Sequence, residues 1–257
     1  MRPPAVTIGL PVRNGEPFLG ATLESLLAQD FGDFELLVAD NASSDGSAEV
    51  AAAYSRCDRR VRLLASHEDR GAAWNFNRCV AAASAPLFKW AAADDLCAPG
   101  FLGCCVEGLR RHPDAVVATT QAVEIDAAGA VLVTHGPLNR ITETQAAQRF
   151  RRAVLEDVFC YAVFGVVRRA ALSRTRLIGR FTGSDRVLLA ELALQGRFLE
   201  ADEPFFLHRE HPGRSMNEHP DDRERLAWFD PARRGRASLP RWRLTAEFAR
   251  AAVGAPA

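Results

Sequence analysis

Short runs of apolar residues separated by longer stretches with helical spacing dominate the first part of this 257-residue chain. Residues 6–12, 34–39, 61–65 and 87–92 read as strands: each is rich in Val, Leu, Ile, Phe or Ala and bounded by polar or turn-forming residues. Between the first two, Phe18, Leu19, Leu23, Leu26 and Leu27 recur at helical spacing behind Pro17, which suits a first helical turn. A second helix begins near Asp45 behind Ser43 or Ser44, and a third spans about 71–83. Pro99 opens a fourth that ends before Pro113, and a strand resumes over 115–120. Alternation of this kind predicts an α/β fold: a Rossmann-like, doubly wound, mainly parallel sheet flanked by helices.

From about Ile125 the pattern loosens. A turn at Ala128-Gly129, a strand over 131–134 and a helix over 144–156 are expected, followed by an apolar block over 159–167. Gly183-Ser184-Asp185 then precedes a helix marked by Val187, Leu188, Leu192 and Leu194, with Gly196 as its C-terminal cap. Beyond Pro212 the chain is rich in Pro, Gly and Arg and locally basic through Arg233, Arg234, Arg236, Arg241 and Arg243, so it reads either as a mobile tail or as an arm closing over the core.

Composition adds exclusions. Thirty-two basic and thirty-two acidic residues cancel, which argues against a nucleic-acid partner. The six cysteines form no C-x-x-C pair and read as reduced core thiols. No apolar run reaches the length needed to span a bilayer, so the expected location is cytoplasmic, or peripheral at the inner face of the membrane. Trp74 and Trp90 read as core packing, and Glu191 as solvated.

In a parallel sheet, ligands bind beyond the carboxyl ends of the strands. Polar residues gather there: Pro11, Arg13, Asn14 and Gly15 after the first strand, Asp40, Asn41, Ser43, Ser44 and Asp45 after the second, Asp94 and Asp95 after the fourth. No G-x-G-x-x-G, G-x-x-x-x-G-K-[ST] or G-x-S-x-G is present, which removes the usual dinucleotide, NTPase and hydrolase sites. Adjacent carboxylates raise each other's pKa unless a cation or strong donors offset them, and Mg²⁺ or Mn²⁺ shared with substrate phosphates is one solution. A solvated helix cap is the other reading of Asp95.

The order of these segments resembles the family 2 glycosyltransferases of the GT-A fold. Ile8 to Gly15 is similar to the family's opening strand, and FELLVADNASSD over 34–45 to its second-strand signature, which implies a base contact for Asp40. Arg70-Gly71 with Asn75 and Asn77 resembles the segment reaching base and ribose; the stretch 87–102, with Pro99 and Phe101, resembles the acidic motif and its following helix. In that register Asp94 matches the metal-binding Asp, Asp95 flanks it, and Ala92 replaces the motif's first carboxylate. Asp185 stands where the inverting enzymes carry their base, with a helix N-cap as the alternative. The stretch from His208 to Ser215 resembles the late basic loop, implying His211 as a further metal ligand and Arg209 or Arg214 as a phosphate clamp. Phe159, Tyr161 and Phe164 are candidates for an acceptor pocket or for the core.

The resemblance implies a nucleotide-sugar-binding half over 1–122, an acceptor-binding and catalytic half over 123–215, and a basic arm over 216–257. It further implies a nucleoside diphosphate sugar donor of UDP, GDP or dTDP type, Mn²⁺ or Mg²⁺, and a hydroxyl acceptor (saccharide, lipid-linked or small metabolite), with homodimerisation left open. A nucleotidyltransferase, a retaining transferase and a nucleotide-sugar-binding protein without catalysis are the rival readings.

Overall fold

A computed structural model describes residues 2–155, 160–236 and 239–254. Among these a nine-stranded sheet runs in the order β3-β2-β1-β4-β8-β6-β9-β5, with β7 paired to β6. The strands are β1 (Val6–Val12), β2 (Phe34–Asp40), β3 (Val61–Leu64), β4 (Leu87–Trp90), β5 (Leu96–Cys97), β6 (Ala115–Ile125), β7 (Val131–Thr134), β8 (Val166–Arg168) and β9 (Arg197–Arg209). The helices are α1 (Glu16–Leu27), α2 (Ser47–Cys57), α3 (Ala72–Ala82), α4 (Phe101–Arg111), α5 (Ala146–Leu155), α6 (Arg169–Leu172), α7 (Ser184–Gln195), α8 (Ser215–Glu218), α9 (Asp222–Phe229) and α10 (Pro240–Val253).

The first four strands are parallel, as expected, and β1 aligns with β2 from Val6↔Phe34 to Val12↔Asp40, so the two strands end side by side. Beyond them the sheet is mixed. β8 runs antiparallel to both β4 and β6, while β6 and β9 are parallel. Ile8, Leu10, Leu36 and Val38 meet α1, α2 and α4 on one face; Phe88, Trp90, Val117 and Val167 meet α3, α5, α6 and α7 on the other. Burying both faces explains why these strands read as near-continuous apolar runs.

Between the two layers lies Lys89, fully buried. Its ammonium donates to Phe164 O at 2.5 Å and Trp90 O at 3.2 Å and stands 4.3 Å from the Phe101 ring centroid. It thereby ties a 3₁₀ turn (Cys160–Phe164) to β4.

Several expectations change on packing. β6 continues five residues past the expected end at 120, because β9 pairs with it along its whole length. The chain beyond Pro212 forms α8, α9, a 3₁₀ turn (Pro231–Arg233) and α10, laid against α3 and α7. Gly71 permits this: its φ is +82°, and a Cβ there would come within 2.5 Å of Phe229 O and 2.7 Å of Pro231 Cδ. Gly196 ends α7 with extended backbone (φ −178°), so it is no left-handed cap; a Cβ would sit 2.6 Å from Asp114 O, and close approach to the start of β6 demands glycine.

Cys57 is exposed rather than a core thiol; no cysteine is disulfide-bonded. Trp90 is core, as expected, and its indole donates to Phe76 O. Trp74 is half-buried instead, with the Arg70 and Arg78 guanidinium groups each 4.4 Å from its ring centroid. Glu191 is not solvated: it is buried and paired to Arg176.

Candidate active site

The carboxyl ends of β1, β2 and β4 open into a cleft of about 1190 Å³, whose far wall comes from the Cys160–Phe164 turn, the start of α7, the end of β9 and the segment 211–235. Pro11, Arg13, Asn14, Asn75, Asp94, Asp95, Asp185 and His211 all line it. Residues separated by almost the whole chain thus meet in one space.

At its centre are Asp94 and Asp95, between β4 and β5. Thr22 of α1 donates to Ala93 O at 3.0 Å and Asp95 O at 2.9 Å, fixing the segment on the helix beneath it. Asp95 is buried; its Oδ1 accepts the Arg209 N–H at 2.9 Å and lies 3.0 Å from His208 Nδ1 in an ion-pair contact. Burial alone disfavours a charged His208, but contact with Asp95 outweighs it and raises the imidazole pKa. Asp95 therefore anchors β9 to the acidic segment, and the helix-cap reading is replaced by a buried strand-to-strand tie.

Asp94 faces the cleft. Its Oδ2 lies 3.0 Å from His211 Nε2, within hydrogen-bond distance. Burial and the Asp95 charge push its pKa up, while the His211 contact opposes them. Among the described residues no cluster of three or more His, Cys, Asp or Glu side chains is arranged as a metal site. A carboxylate and an imidazole remain, with ligand atoms 3.0 Å apart. Were Mg²⁺ or Mn²⁺ bound with the substrate phosphates, Asp94 and His211 are the side chains that would hold it.

Arg209, expected as a phosphate clamp, lies outside the cleft lining. It is buried, and its guanidinium donates to Asp94 O at 2.9 Å, Asp126 O at 3.2 Å and Ala127 O at 2.9 Å, over the Phe18 ring. Its positive charge is committed to holding the acidic segment. Arg214, the alternative clamp, lines the cleft and pairs with Glu210. Arg223, Arg225 and Arg234 join it there, from a segment where sequence shows only a basic tail.

At the other end of the cleft Asp40 is buried behind the wall. One carboxylate oxygen accepts the Ser43 N–H at 3.3 Å and the other has no hydrogen-bond partner. The next residue, Asn41, reaches the cleft in its place. Asn41 donates to Asp69 Oδ1 at 2.8 Å, and Asp69 Oδ2 lies 3.3 Å from Arg13 Nε. Asp69 stands after β3, and its position at yet another strand end was the signal that could have marked it. Asn75 is occupied structurally: its amide donates to Val12 O at 3.3 Å and Ala39 O at 2.8 Å, locking the ends of β1 and β2 together. Asn77 is likewise spent on both backbone groups of Ile178. Arg70 lies outside the cleft lining, over Trp74 and 3.6 Å from Glu68.

Among the described residues three non-glycine loop positions adopt left-handed backbone, Asn14 (φ 57°), Ala42 (φ 59°) and Leu177 (φ 59°). Asn14 gains from it, since its Oδ1 accepts the Ser44 N–H at 2.8 Å. Ala42 has no such compensation. Ala42→Gly should raise stability by about 1 kcal/mol, read as a higher urea midpoint at unchanged m-value; no change would show that the turn is unstrained.

Asp185 sits in the first turn of α7. Gly183 occupies the cap position, so the carboxylate is not an N-cap; it accepts the Arg186 N–H at 2.9 Å and remains on the cleft wall. Cys160 lies beside it, and burial followed by the Asp185 charge raises the thiol pKa. Tyr161 and Phe164 line the same wall, Tyr161 donating to Glu124 Oε1 at 3.2 Å; Phe159 lies outside the described residues.

The profile of glycosyl transferase family 2 matches residues 7–176, well over half of the chain. The chain belongs to glycosyl transferase family 2. Among curated relatives, the putative glycosyltransferase EpsE of Bacillus subtilis is 28% identical over 127 residues, covering 49% of this chain and 46% of that protein. An Escherichia coli relative, the UDP-Glc:alpha-D-GlcNAc-diphosphoundecaprenol beta-1,3-glucosyltransferase WfgD, is 33% identical over 91 residues, 35% of each chain. Against EpsE and the related putative glycosyltransferase EpsH, the chain spans 46% and 57% of the relative's length. Among solved structures, S. aureus TarS 1-349 in complex with UDP-GlcNAc superposes with a TM-score of 0.66 at 16% identity, covering 96% of this chain and 71% of that one. The mannosyltransferase PcManGT of Pyrobaculum calidifontis, in complex with GDP-Man and Mn²⁺, gives 0.60 at 18% identity over 100% and 72%. These likenesses establish the GT-A fold expected for a family 2 glycosyl transferase. The matched span ends before α7, so Asp185 and the cleft-lining arginines of 214–234 lie beyond it.

Proposed function

We propose that this family 2 glycosyl transferase moves a sugar from a nucleoside diphosphate sugar to a hydroxyl acceptor with inversion, residues 1–122 holding the donor. The observation that carries the reading is the common cleft: Asp94 with His211 at its centre and Asp185 across from them on the same wall-to-wall space. Asn41, Asp69 and Arg13 form the polar end suited to a nucleobase, a revision of the role expected for Asp40. Asp94 and His211 would hold Mn²⁺ or Mg²⁺, which when bound offsets charge on the diphosphate. Arg214, Arg223, Arg225 and Arg234 add positive potential there.

In the transfer itself, the acceptor oxygen forms a bond to the anomeric carbon, the bond from that carbon to the phosphate oxygen breaks with its electron pair leaving on the diphosphate, and Asp185 takes the hydroxyl proton. The acceptor would enter beside Tyr161 and Phe164, within the half assigned to 123–215 and extended by α9. TarS in complex with UDP-GlcNAc and PcManGT in complex with GDP-Man and Mn²⁺ support a nucleotide-sugar donor by likeness of fold.

Calorimetric titration with UDP, GDP and dTDP, each with and without Mn²⁺, tests the donor site. One nucleotide should bind in a Mn²⁺-dependent manner, and Asp94→Ala should weaken it at least about tenfold. Absence of binding by all of them would refute the reading.

A further inference from the structure

Three large apolar side chains stand out of the surface at one place in the fold: Leu239 is 70% exposed, Trp242 77% and Val253 88%. Leu239 caps α10, and the other two lie in its first and last turns. With Ala246 and Ala249 between them they recur in alternating steps of three and four residues, which draws a single stripe down the helix. The opposite face is already used. Glu247 and Ala251 are buried there, and Leu244 lies against Gly183, 3.5 Å from where a Cβ would be. The helix therefore carries apolar residues on two faces, of which one is covered by α7.

Charge distinguishes between the candidates for the other face. Arg236, Arg241, Arg243 and Arg250 are all exposed on or just before α10. The acid of α10 is Glu247, buried and turned inward, where it pairs with Arg176 at 2.5 Å, Arg243 at 3.1 Å and Arg250 at 2.8 Å. A second copy of the helix would set arginine against arginine, with no outward carboxylate on α10 to meet them. A surface of anionic lipid headgroups matches both properties: it takes the apolar stripe among its acyl chains and the arginines at its phosphates. Among the described residues no helix is long and apolar enough to cross a membrane, so the contact would be along the surface.

We propose that α10 docks the protein on an anionic bilayer, through the stripe from Leu239 to Val253 and the arginines that flank it. The inference is independent of the transferase reading. Leu244 on the inner face packs at Gly183, so the docking helix stands beside the start of α7, which carries Asp185.

Co-sedimentation of the full chain with phosphatidylcholine vesicles, with and without phosphatidylglycerol, tests it. Binding should be about tenfold or more tighter to the anionic vesicles and weaken with added salt. The double variant Leu239→Ser/Trp242→Ser should lose about a hundredfold in affinity while its thermal unfolding and nucleotide binding stay unchanged, since both side chains are solvent-exposed. Equal binding to both vesicle types, or to neither, overturns the proposal. So does a wild-type dimer in sedimentation velocity that the double variant splits into monomers, which would assign the stripe to a second copy.

Discussion

Asp185→Asn is expected to lower turnover by about 10²- to 10⁴-fold, measured as nucleoside diphosphate released from the nucleotide sugar in the presence of acceptor. Asn has the same shape and can still accept the Arg186 N–H that Asp185 accepts at 2.9 Å, so the start of α7 should keep its conformation and the protein its stability. What the amide lacks is the basicity to take a proton from a hydroxyl. Nucleotide affinity should stay within about a factor of two, because the proposed donor end of the cleft is built from β1, β2 and β4 and their loops. The neighbouring Cys160 is a poor substitute, since burial, which does not depend on the Asp185 charge, disfavours its thiolate. Turnover near the wild-type rate would remove Asp185 from the chemistry; lost turnover together with lost nucleotide binding would mean a structural role.

The largest stability loss is expected from Arg176→Met, about 2–3 kcal/mol by urea unfolding. Arg176 joins the buried Glu191 of α7 to the buried Glu247 of α10: its guanidinium pairs with both carboxylates, and its backbone N–H donates to Glu191 Oε2 at 2.9 Å. Removing it leaves Glu191 buried without a cation, while Glu247 keeps Arg243 and Arg250. The full penalty of an orphaned buried carboxylate is about 3–5 kcal/mol, but the Arg176 side chain is 46% exposed and solvent screens part of the pairing. Arg176→Met with Glu191→Met should recover part of the loss. A single variant within about 0.5 kcal/mol of wild type would show that the junction of α7 and α10 rests on apolar contacts alone.

The strands β1 to β4 were legible because burial on two faces leaves local marks: unbroken apolar runs, a helix-start proline at Pro17, polar residues at each strand end. β8 and β9 were harder. β8 has three residues, and β9 has an exposed middle at Asp202–Pro204, where its pairing with β6 shifts register. Both are held by partners far away in sequence, which local periodicity does not record. The basic tail read equally as a mobile segment or as an arm over the core for the same reason, since α10 owes its place to Arg176 and Gly183, distant in the chain.

Positions of the acids and amides in the cleft followed from strand ends, but side-chain directions did not. Asp94, His211 and Asp185 reach the common space as expected, whereas Asp40 turns behind the wall, Arg209 spends its guanidinium on three carbonyls, and Asn75 and Asn77 are consumed by backbone groups. By itself the sequence determined the α/β class, the approximate spans of the parallel strands and which residues would lie at their ends, because apolar periodicity and turn residues act over a few positions. Only the tertiary structure decided which of those polar groups stay available to a ligand, because each buried donor or acceptor must find a partner, and the nearest one usually belongs to a distant segment of the chain.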